Sequence, residues 1–167
     1  YLTSDPLEAL SLARTVMILA DGKIVQQDSL DVVYDLPNSI ASLNSLGFPE
    51  ANIISGELSG STFTSVLGQI KVKMDSNVSN VVAGIRPEGF VIGSGSGSFD
   101  ARVSLLENLG SEFAVYLNVK NSNLVTVVSR TDNDALAKLK SKSVSLTYKA
   151  DAVVLFDANT GKRVGQG

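Results

Sequence analysis

Apolar and polar positions follow two different rhythms along the chain, and the change comes at about residue 48. Residues 1–47 mix segments of helical spacing with two short apolar runs, a pattern typical of α/β structure. Residues 48–167 instead carry short β-branched and aromatic runs at roughly regular spacing, which predicts a small all-β sandwich or barrel. The runs predicted as strands are 52–54, 62–66, 70–74, 81–85, 90–92, 101–105, 113–117, 124–128, 144–148 and 153–156. We therefore predict a mainly β chain preceded by a small α/β piece.

Capping and turn residues predict the elements of the first part. Asp5, followed by a proline and by Glu8 three residues later, predicts a helix start in which both carboxylates satisfy backbone donors. The Asp-Gly pair at 21–22, between two apolar runs, predicts a hairpin. Ser29 predicts the start of a short helix, and a further short helix is predicted after Ser39.

Three segments of the β part depart from the strand pattern. Residues 133–139 place three apolar side chains on one face, which predicts a helix. Residues 93–98, Gly-Ser-Gly-Ser-Gly-Ser, have the composition of a phosphate-binding loop, but neither a lysine nor a helical pattern follows them. We interpret them as a flexible hairpin loop rather than a ligand cradle. Residues 157–162 predict a second hairpin turn.

The amino-acid composition excludes several kinds of catalytic and binding site. Apolar residues make up 44% of the chain, enough for a core. The absence of cysteine and histidine excludes disulfides, thiol catalysis, Ser-His-Asp triads and most transition-metal sites, so no metal site is expected. The net charge of −3 and the lack of aromatic residues beside the lysine runs argue against nucleic-acid binding. No stretch approaches the roughly 20 apolar residues of a membrane span, so we expect a soluble chain without direct membrane insertion.

Six stretches, taken in order, resemble one family. They read YLTSDPLEAL, ADGKIVQQDSLDVVYDLP, LGFPEANII, GIRPEGF, LLENLGSE and LFDANTGKRV. Together they are similar to the C-terminal part of the ATP-binding subunit of maltose-type sugar-importing ABC transporters, and the similarity covers essentially the whole chain. The resemblance implies that residues 1–47 end a nucleotide-binding domain. It also implies that residues 48–167 form the appended regulatory domain, an OB-like barrel of the TOBE type.

The resemblance also implies partners and cofactors. In the family, the complete subunit dimerises, hydrolyses ATP and drives a pair of membrane-spanning permease subunits. The appended domains touch each other in the dimer, and some members receive regulatory partners there. The resemblance thus implies a cytoplasmic homodimer, peripheral on the inner face of the cell membrane. ATP and Mg would belong to the parent subunit, and we expect this segment to bind no cofactor.

Two departures from the family pattern bear on catalysis. The phosphate-cradling Gly-x-x-x-x-Gly-Lys-Ser/Thr loop, the ABC signature and the acidic Walker B strand are absent from the chain. The family carries them upstream of the position of Tyr1, so we expect a truncated or cleaved ATPase that does not hydrolyse ATP alone. The family's switch histidine, which reaches the γ-phosphate, is matched here by Ser4, and Asp5 follows it. A serine hydroxyl is neutral and shorter, so it would reach phosphate only through water.

The stretch Gly84–Glu88 is the first candidate regulatory or interface site. Pro87 forces Arg86 toward extended geometry, so Arg86 and Glu88 are expected to form a fixed charged corner. One interpretation is a strand-ending turn with a local ion pair. The other, which the resemblance implies, is a structural junction of the regulatory domain near a subunit contact.

A second candidate is a polar turn between two apolar runs. It contains Glu107, Gly110, Ser111 and Glu112, and its default interpretation is an exposed loop because no partner base or apolar pocket can be named. In the family, the matching loop lies on the surface of the regulatory domain and is available for recognition. The leading hypothesis is therefore a non-catalytic regulatory and dimerisation module. The alternative is a β domain that senses a small sugar or oxyanion, although the sequence suggests no cluster of serine, threonine and lysine for that purpose.

Overall fold

The computed structural model describes residues 1–74, 78–95 and 97–167. The first part of the chain is a small α/β unit. Its elements are α1 (Pro6–Leu12), β1 (Thr15–Ala20), β2 (Lys23–Ser29), α2 (Leu30–Asp35) and α3 (Ile40–Ser45). Strands β1 and β2 form a two-stranded antiparallel hairpin, as the Asp-Gly pair predicted.

The second part is built from strands, with one α-helix and two short 3-10 turns. The strands are β3 (Asn52–Ser59), β4 (Thr62–Ser65), β5 (Gly68–Lys71), β6 (Lys73–Met74), β7 (Val81–Ile85), β8 (Phe90–Ile92), β9 (Phe99–Asn108), β10 (Glu112–Val119), β11 (Ser122–Ser129), β12 (Ser143–Tyr148), β13 (Val153–Asp157) and β14 (Arg163–Gln166). Helix α4 (Asn133–Lys138) connects β11 to β12, and the 3-10 turns are Pro87–Gly89 and Ala150–Ala152. The mainly β fold class is confirmed.

The strands form two antiparallel sheets that curl toward closure. The seven-stranded sheet has the order β5-β4-β3-β7-β13-β14-β6, and only Val72 separates the strands at its two ends. Because two residues of chain span at most about 7 Å, the end of β5 lies close to the start of β6, which brings the two edges of the sheet together. The five-stranded sheet has the order β11-β10-β9-β12-β8, and the hydroxyl of Thr126 on β11 donates to the carbonyl of Pro87, three residues before β8, at 2.9 Å. A curled five-stranded antiparallel sheet with one helical connection is typical of OB-like domains.

One hydrophobic core joins the two sheets. Phe63 and Leu155 from the seven-stranded sheet, and Leu117 and Leu146 from the five-stranded sheet, are fully buried in the same cluster. A polar link reinforces this contact: the buried Asn52 amide donates to the carbonyls of Ile85 and Val125. The two sheets therefore share one core.

The N-terminal unit packs directly on the seven-stranded sheet. Leu43 of α3 is buried against Val154 and Phe156 of β13. Backbone hydrogen bonds join the same regions, from the Ile40 N–H to the Gly161 carbonyl and from the Arg163 N–H to the Asn38 carbonyl. The division into residues 1–47 and 48–167 remains a prediction, and these contacts cross it.

Most local elements follow the sequence prediction. Asp5 caps α1 by accepting from the Leu7 and Glu8 N–H groups, and Ser29 and Ser39 cap α2 and α3. Helix α4 and the β13–β14 hairpin also lie where they were predicted. The reciprocal cap by Glu8 is wrong, because the Asp5 N–H donates to the Thr3 hydroxyl instead.

Two predictions about the strands are wrong. The run 70–74 is not one strand, because it divides at Val72, whose N–H donates to the Ser61 carbonyl. Residues 93–98 do not form a hairpin loop, because β8 and β9 both pair with β12 and not with each other. Ser96 of that loop lies outside the described residues.

Candidate functional site

Arg86 lies where β7 ends and the 3-10 turn at Pro87 begins. Its φ of −67° and ψ of 154° are extended, as the following proline predicted. The Arg86 residue is nevertheless buried, with 9% of its surface exposed, and Pro87 is buried beside it. Of the two charged residues in the expected corner, Arg86 is therefore buried, whereas Glu88 is exposed.

The Arg86 guanidinium donates to backbone carbonyls of the N-terminal unit. Its Nε and Nη2 donate to the Tyr34 carbonyl at 3.3 and 3.1 Å, and Nη1 donates to the Leu43 carbonyl at 3.2 Å and to the Leu46 carbonyl. These carbonyls belong to the last turns of α2 and α3, where helices leave acceptors without intrahelical partners. One arginine thus ties the ends of two helices to the β domain.

Tyr34 and Glu88 complete this junction. The Arg86 guanidinium carbon lies 3.9 Å from the centroid of the Tyr34 ring, a cation–π distance. The Tyr34 hydroxyl donates to a Glu88 carboxylate oxygen at 2.6 Å. The pKa of Tyr34 is raised to about 12, mainly because the side chain is partly buried and secondly because of this hydrogen bond. Burial also lowers the pKa of Arg86, against the attraction of Tyr34, Glu88 and Asp35.

Gly47 leaves room for the guanidinium. Its φ is +103°, in the region that favours glycine, and a Cβ there would lie 2.9 Å from Arg86 Nη1. We name the set of Tyr34, Arg86 and Glu88 the Arg86 junction. Its contacts join the N-terminal unit to the β domain. The expectation that this stretch lies near a subunit contact remains a prediction.

The second candidate site is the exposed turn between β9 and β10. Arg130 holds it: Nε donates to the Gly110 carbonyl at 2.7 Å, and Nη2 donates to the Asn108 side-chain oxygen at 2.6 Å. The same guanidinium lies 4.7 Å from the centroid of the Phe113 ring. The Arg130 N–H also donates to the Ser111 carbonyl. The turn is therefore exposed and held in one shape, with Glu112 exposed beside it.

Glu107 contacts Tyr116 of β10, four residues along that strand from Glu112. Its carboxylate accepts a hydrogen bond from the Tyr116 hydroxyl at 2.9 Å, which raises the pKa of Tyr116. The two carboxylates thus form no acid–base pair around a common pocket.

Ser4 and Asp5 lie near the N-terminus, just before α1. Ser4 is exposed, and the Asp5 carboxylate is engaged in capping α1. The hydroxyl of Ser4 is therefore open to solvent, and Asp5 has a structural partner.

Sequence reasoning missed a polar hollow beside α4. It has a volume of about 510 Å³ and is lined by Gly93, Ser94, Lys138, Ser141, Ser143, Val144 and Ser145. The expectation that serine and lysine form no cluster is therefore wrong. The available signal was the alternation of serines at 141, 143 and 145, which places Ser143 and Ser145 on one face of β12.

Within the described residues, no helix has the length and apolar character needed to cross a membrane. The same part of the chain contains no group of three or more aspartate and glutamate side chains placed to hold a metal ion.

Comparison with known proteins identifies relatives over nearly the whole chain. Residues 83–156 match the model of the TOBE domain. The xylose/arabinose import ATP-binding protein XacK of Haloferax volcanii is 30% identical, with 96% of this chain and 44% of the relative covered. The sn-glycerol-3-phosphate import ATP-binding protein UgpC of Jannaschia sp. is 29% identical, with 98% and 46% covered. The oligosaccharides import ATP-binding protein MsmX of Bacillus subtilis is 26% identical, with 98% and 48% covered.

The chain thus spans about half the length of the curated relatives it matches. Among solved structures, the cytoplasmic molybdate-binding protein ModG has a TM-score of 0.47 and 16% identity, over 62% of this chain and 94% of that one. A likeness at that level supports no inference about ligands.

Proposed function

We propose that this chain is the regulatory and dimerisation part of the ATP-binding subunit of a sugar-import ABC transporter. The proposal is supported by the match to the TOBE domain and by homology, over most of the chain, to the C-terminal region of such subunits. The carrying observation is the continuity of the similarity, which covers 96% to 98% of the chain in the relatives named above. The similarity includes the N-terminal unit as well as the β domain, so it describes both parts together.

The segment does not hydrolyse ATP by itself. Its sequence lacks the glycine-rich loop whose backbone N–H groups and lysine would hold a triphosphate. Ser4, which stands at the switch-histidine position of the family, offers a short neutral hydroxyl. ATP and Mg belong to the parent subunit, which drives permease subunits from the inner face of the cell membrane.

Self-association uses the β9–β10 turn. Support comes from its geometry, because Arg130 holds the turn in one shape while Ser111 and Glu112 remain exposed. A pre-organised surface loses little conformational freedom on binding. Arg86 and Pro87 are buried, so the contact relies on the turn and on Glu88, which is exposed while its carboxylate accepts the Tyr34 hydrogen bond.

Sedimentation equilibrium tests the dimer. We expect a mass approaching twice 17.5 kDa as concentration rises, and we expect Glu112→Lys to weaken association at least about tenfold, or 1.4 kcal/mol. Glu57→Lys, the same charge change at an exposed position on β3, is the control and should leave association unchanged. A chain that stays monomeric at all concentrations would remove the dimerisation role.

The polar hollow supports a second candidate function, a sensor for a small oxyanion or sugar. Its lining offers one lysine and four serines, and none of its described lining residues is a carboxylate. Calorimetry with phosphate, sulfate, xylose and maltose tests it. A saturable signal that Lys138→Met abolishes and Lys140→Met preserves would favour the sensor, and flat titrations would dismiss it.

A further inference from the structure

A continuous apolar face crosses three strands of the five-stranded sheet. Leu105 on β9 lies directly opposite Tyr116 on β10, and Tyr116 lies directly opposite Val125 on β11. Side chains of directly opposed residues point to the same face of a sheet. Tyr116 and Val125 also line a hollow of about 460 Å³ together with Phe48 and Ile53. We name these five residues the Tyr116 face.

The Tyr116 face leaves large apolar side chains in water. The exposed fractions are 54% for Phe48, 41% for Ile53 and 57% for Leu105. Single exposed apolar residues are ordinary, but contiguous ones mark interaction sites. These three residues lie around one hollow and one cross-strand row, so they form a patch rather than scattered positions.

The hollow is held open by buried hydrogen bonds. The Asn52 side chain, in one wall, accepts from the Val125 N–H at 2.7 Å and donates to the Val125 carbonyl at 2.8 Å in the opposite wall. A surface fixed in this way needs no rearrangement to receive a partner.

Carboxylates lie at the rim of the face. Glu50 lines the hollow, and Glu107 accepts the hydrogen bond of the Tyr116 hydroxyl. None of the described residues that line the hollow is lysine or arginine. Arg102 on β9 is a cation on the same face, where it lies directly opposite Asn118 on β10. Strand β9 is one strand beyond the hollow, so Arg102 is roughly 5 Å further across the sheet.

We infer that the Tyr116 face is a docking surface for a segment of a partner protein that carries one or two aromatic or branched aliphatic side chains flanked by lysine or arginine. The apolar side chains would occupy the hollow beside Phe48, and the flanking cations would meet Glu50 and Glu107. A basic segment complements these carboxylates better than a second copy of this chain does, because each copy has a net charge of −3. This inference does not depend on the proposed function.

Fluorescence anisotropy with defined peptides tests the inference. The probe is a labelled twelve-residue peptide of glycine and serine that contains one phenylalanine, one leucine and four lysines. We expect saturable binding to the full chain, and at least about tenfold weaker binding when glutamate replaces the lysines or serine replaces the two apolar residues. Amide chemical shifts of the ¹⁵N-labelled chain should change at Ile53, Tyr116 and Val125.

Matched variants locate the contact. Leu105→Lys, which removes an apolar contact and adds a repelling charge, should weaken binding at least about tenfold. Leu19→Lys on β1, at a side chain 60% exposed against 57% for Leu105, should change it less than twofold. Both variants should unfold at the same urea concentration as the parent chain.

Several results would overturn the inference. Absence of saturable binding, equal binding of the glutamate peptide, or equal weakening by both variants would each do so. Conversion of a dimer to a monomer by Leu105→Lys would show that a second copy covers the face. The Glu112→Lys sedimentation experiment addresses the proposed function at a different position, so the two ideas can fail separately.

Discussion

Replacement of Arg86 by methionine is the sharpest test of how the two parts of the chain are joined. Methionine keeps much of the apolar volume of the arginine stem but removes the charge and every donor. It therefore deprives the Tyr34, Leu43 and Leu46 carbonyls of the hydrogen bonds that Arg86 gives them. It also removes the cation that lies over the Tyr34 ring.

The expected loss follows from those contacts. A buried backbone acceptor left without a partner costs about 1–3 kcal/mol. Three such acceptors would cost more if all stayed dry, but water reaches part of the junction because Tyr34 is only partly buried. We therefore expect Arg86→Met to lower the free energy of unfolding by about 3–5 kcal/mol. That is a large fraction of the free energy of unfolding of an ordinary domain, which is about 5–15 kcal/mol.

Urea unfolding followed by far-ultraviolet circular dichroism measures this loss. Arg86→Lys keeps the charge but not the planar fork, so we expect an intermediate loss of about 1–3 kcal/mol. Arg102→Met is the control, since Arg102 is exposed on β9, and it should change stability by less than about 0.5 kcal/mol. Hydrogen exchange should accelerate first at the amides of α2 and α3. A loss for Arg86→Met no larger than for Arg102→Met would refute the assigned role.

Two further changes test the same region by different physics. Gly84→Ala should destabilise the chain by about 1–3 kcal/mol in urea unfolding, because a Cβ at Gly84 would lie 2.5 Å from Leu43 Cδ2. Gly95→Ala is the control and should be nearly neutral, because a Cβ at Gly95 would meet open space. The raised pKa of Tyr34, about 12 against an ordinary 10.0, means that folding favours the neutral phenol, so this stabilisation is complete below pH 10 and is lost as pH rises toward 12. Tyr34→Phe, which also removes the hydrogen bond to Glu88, should therefore be less stable than the parent at pH 8 and lose less stability than the parent between pH 9 and 11.5. Parallel alkaline slopes for the two chains would contradict this account of Tyr34.

Local chemistry explains why most elements could be predicted. Asp5 and Ser29 cap the helices that follow them, and the Asp-Gly pair forms the β1–β2 turn, because each signal acts over three or four residues. The alternation of apolar residues likewise predicts strands without knowledge of their partners.

The junction could not be predicted in the same way. Arg86 contacts carbonyls 40 to 52 residues earlier in the chain, and no local pattern reports which carbonyls a cation will meet. The sequence predicted the extended backbone at Arg86 from Pro87, but it did not predict that the side chain is buried. The division of the run 70–74 has the same origin, since Val72 donates to the Ser61 carbonyl and separates two edge strands.

The polar hollow illustrates a different limit. The serines that flank Val144 alternate visibly in the sequence, but Lys138 joins them only because α4 packs near the start of β12. Its distance from them depends on a helix–strand connection that periodicity does not determine.

The most direct test of the central claim, that this chain is a regulatory part of an import ATPase and not a catalyst, is ATP turnover by the purified chain. Release of phosphate from ATP in the presence of Mg²⁺ should stay at the level of a protein-free control at every protein concentration. Turnover that rises in proportion to the chain, and that remains with it through size-exclusion chromatography, would contradict the claim.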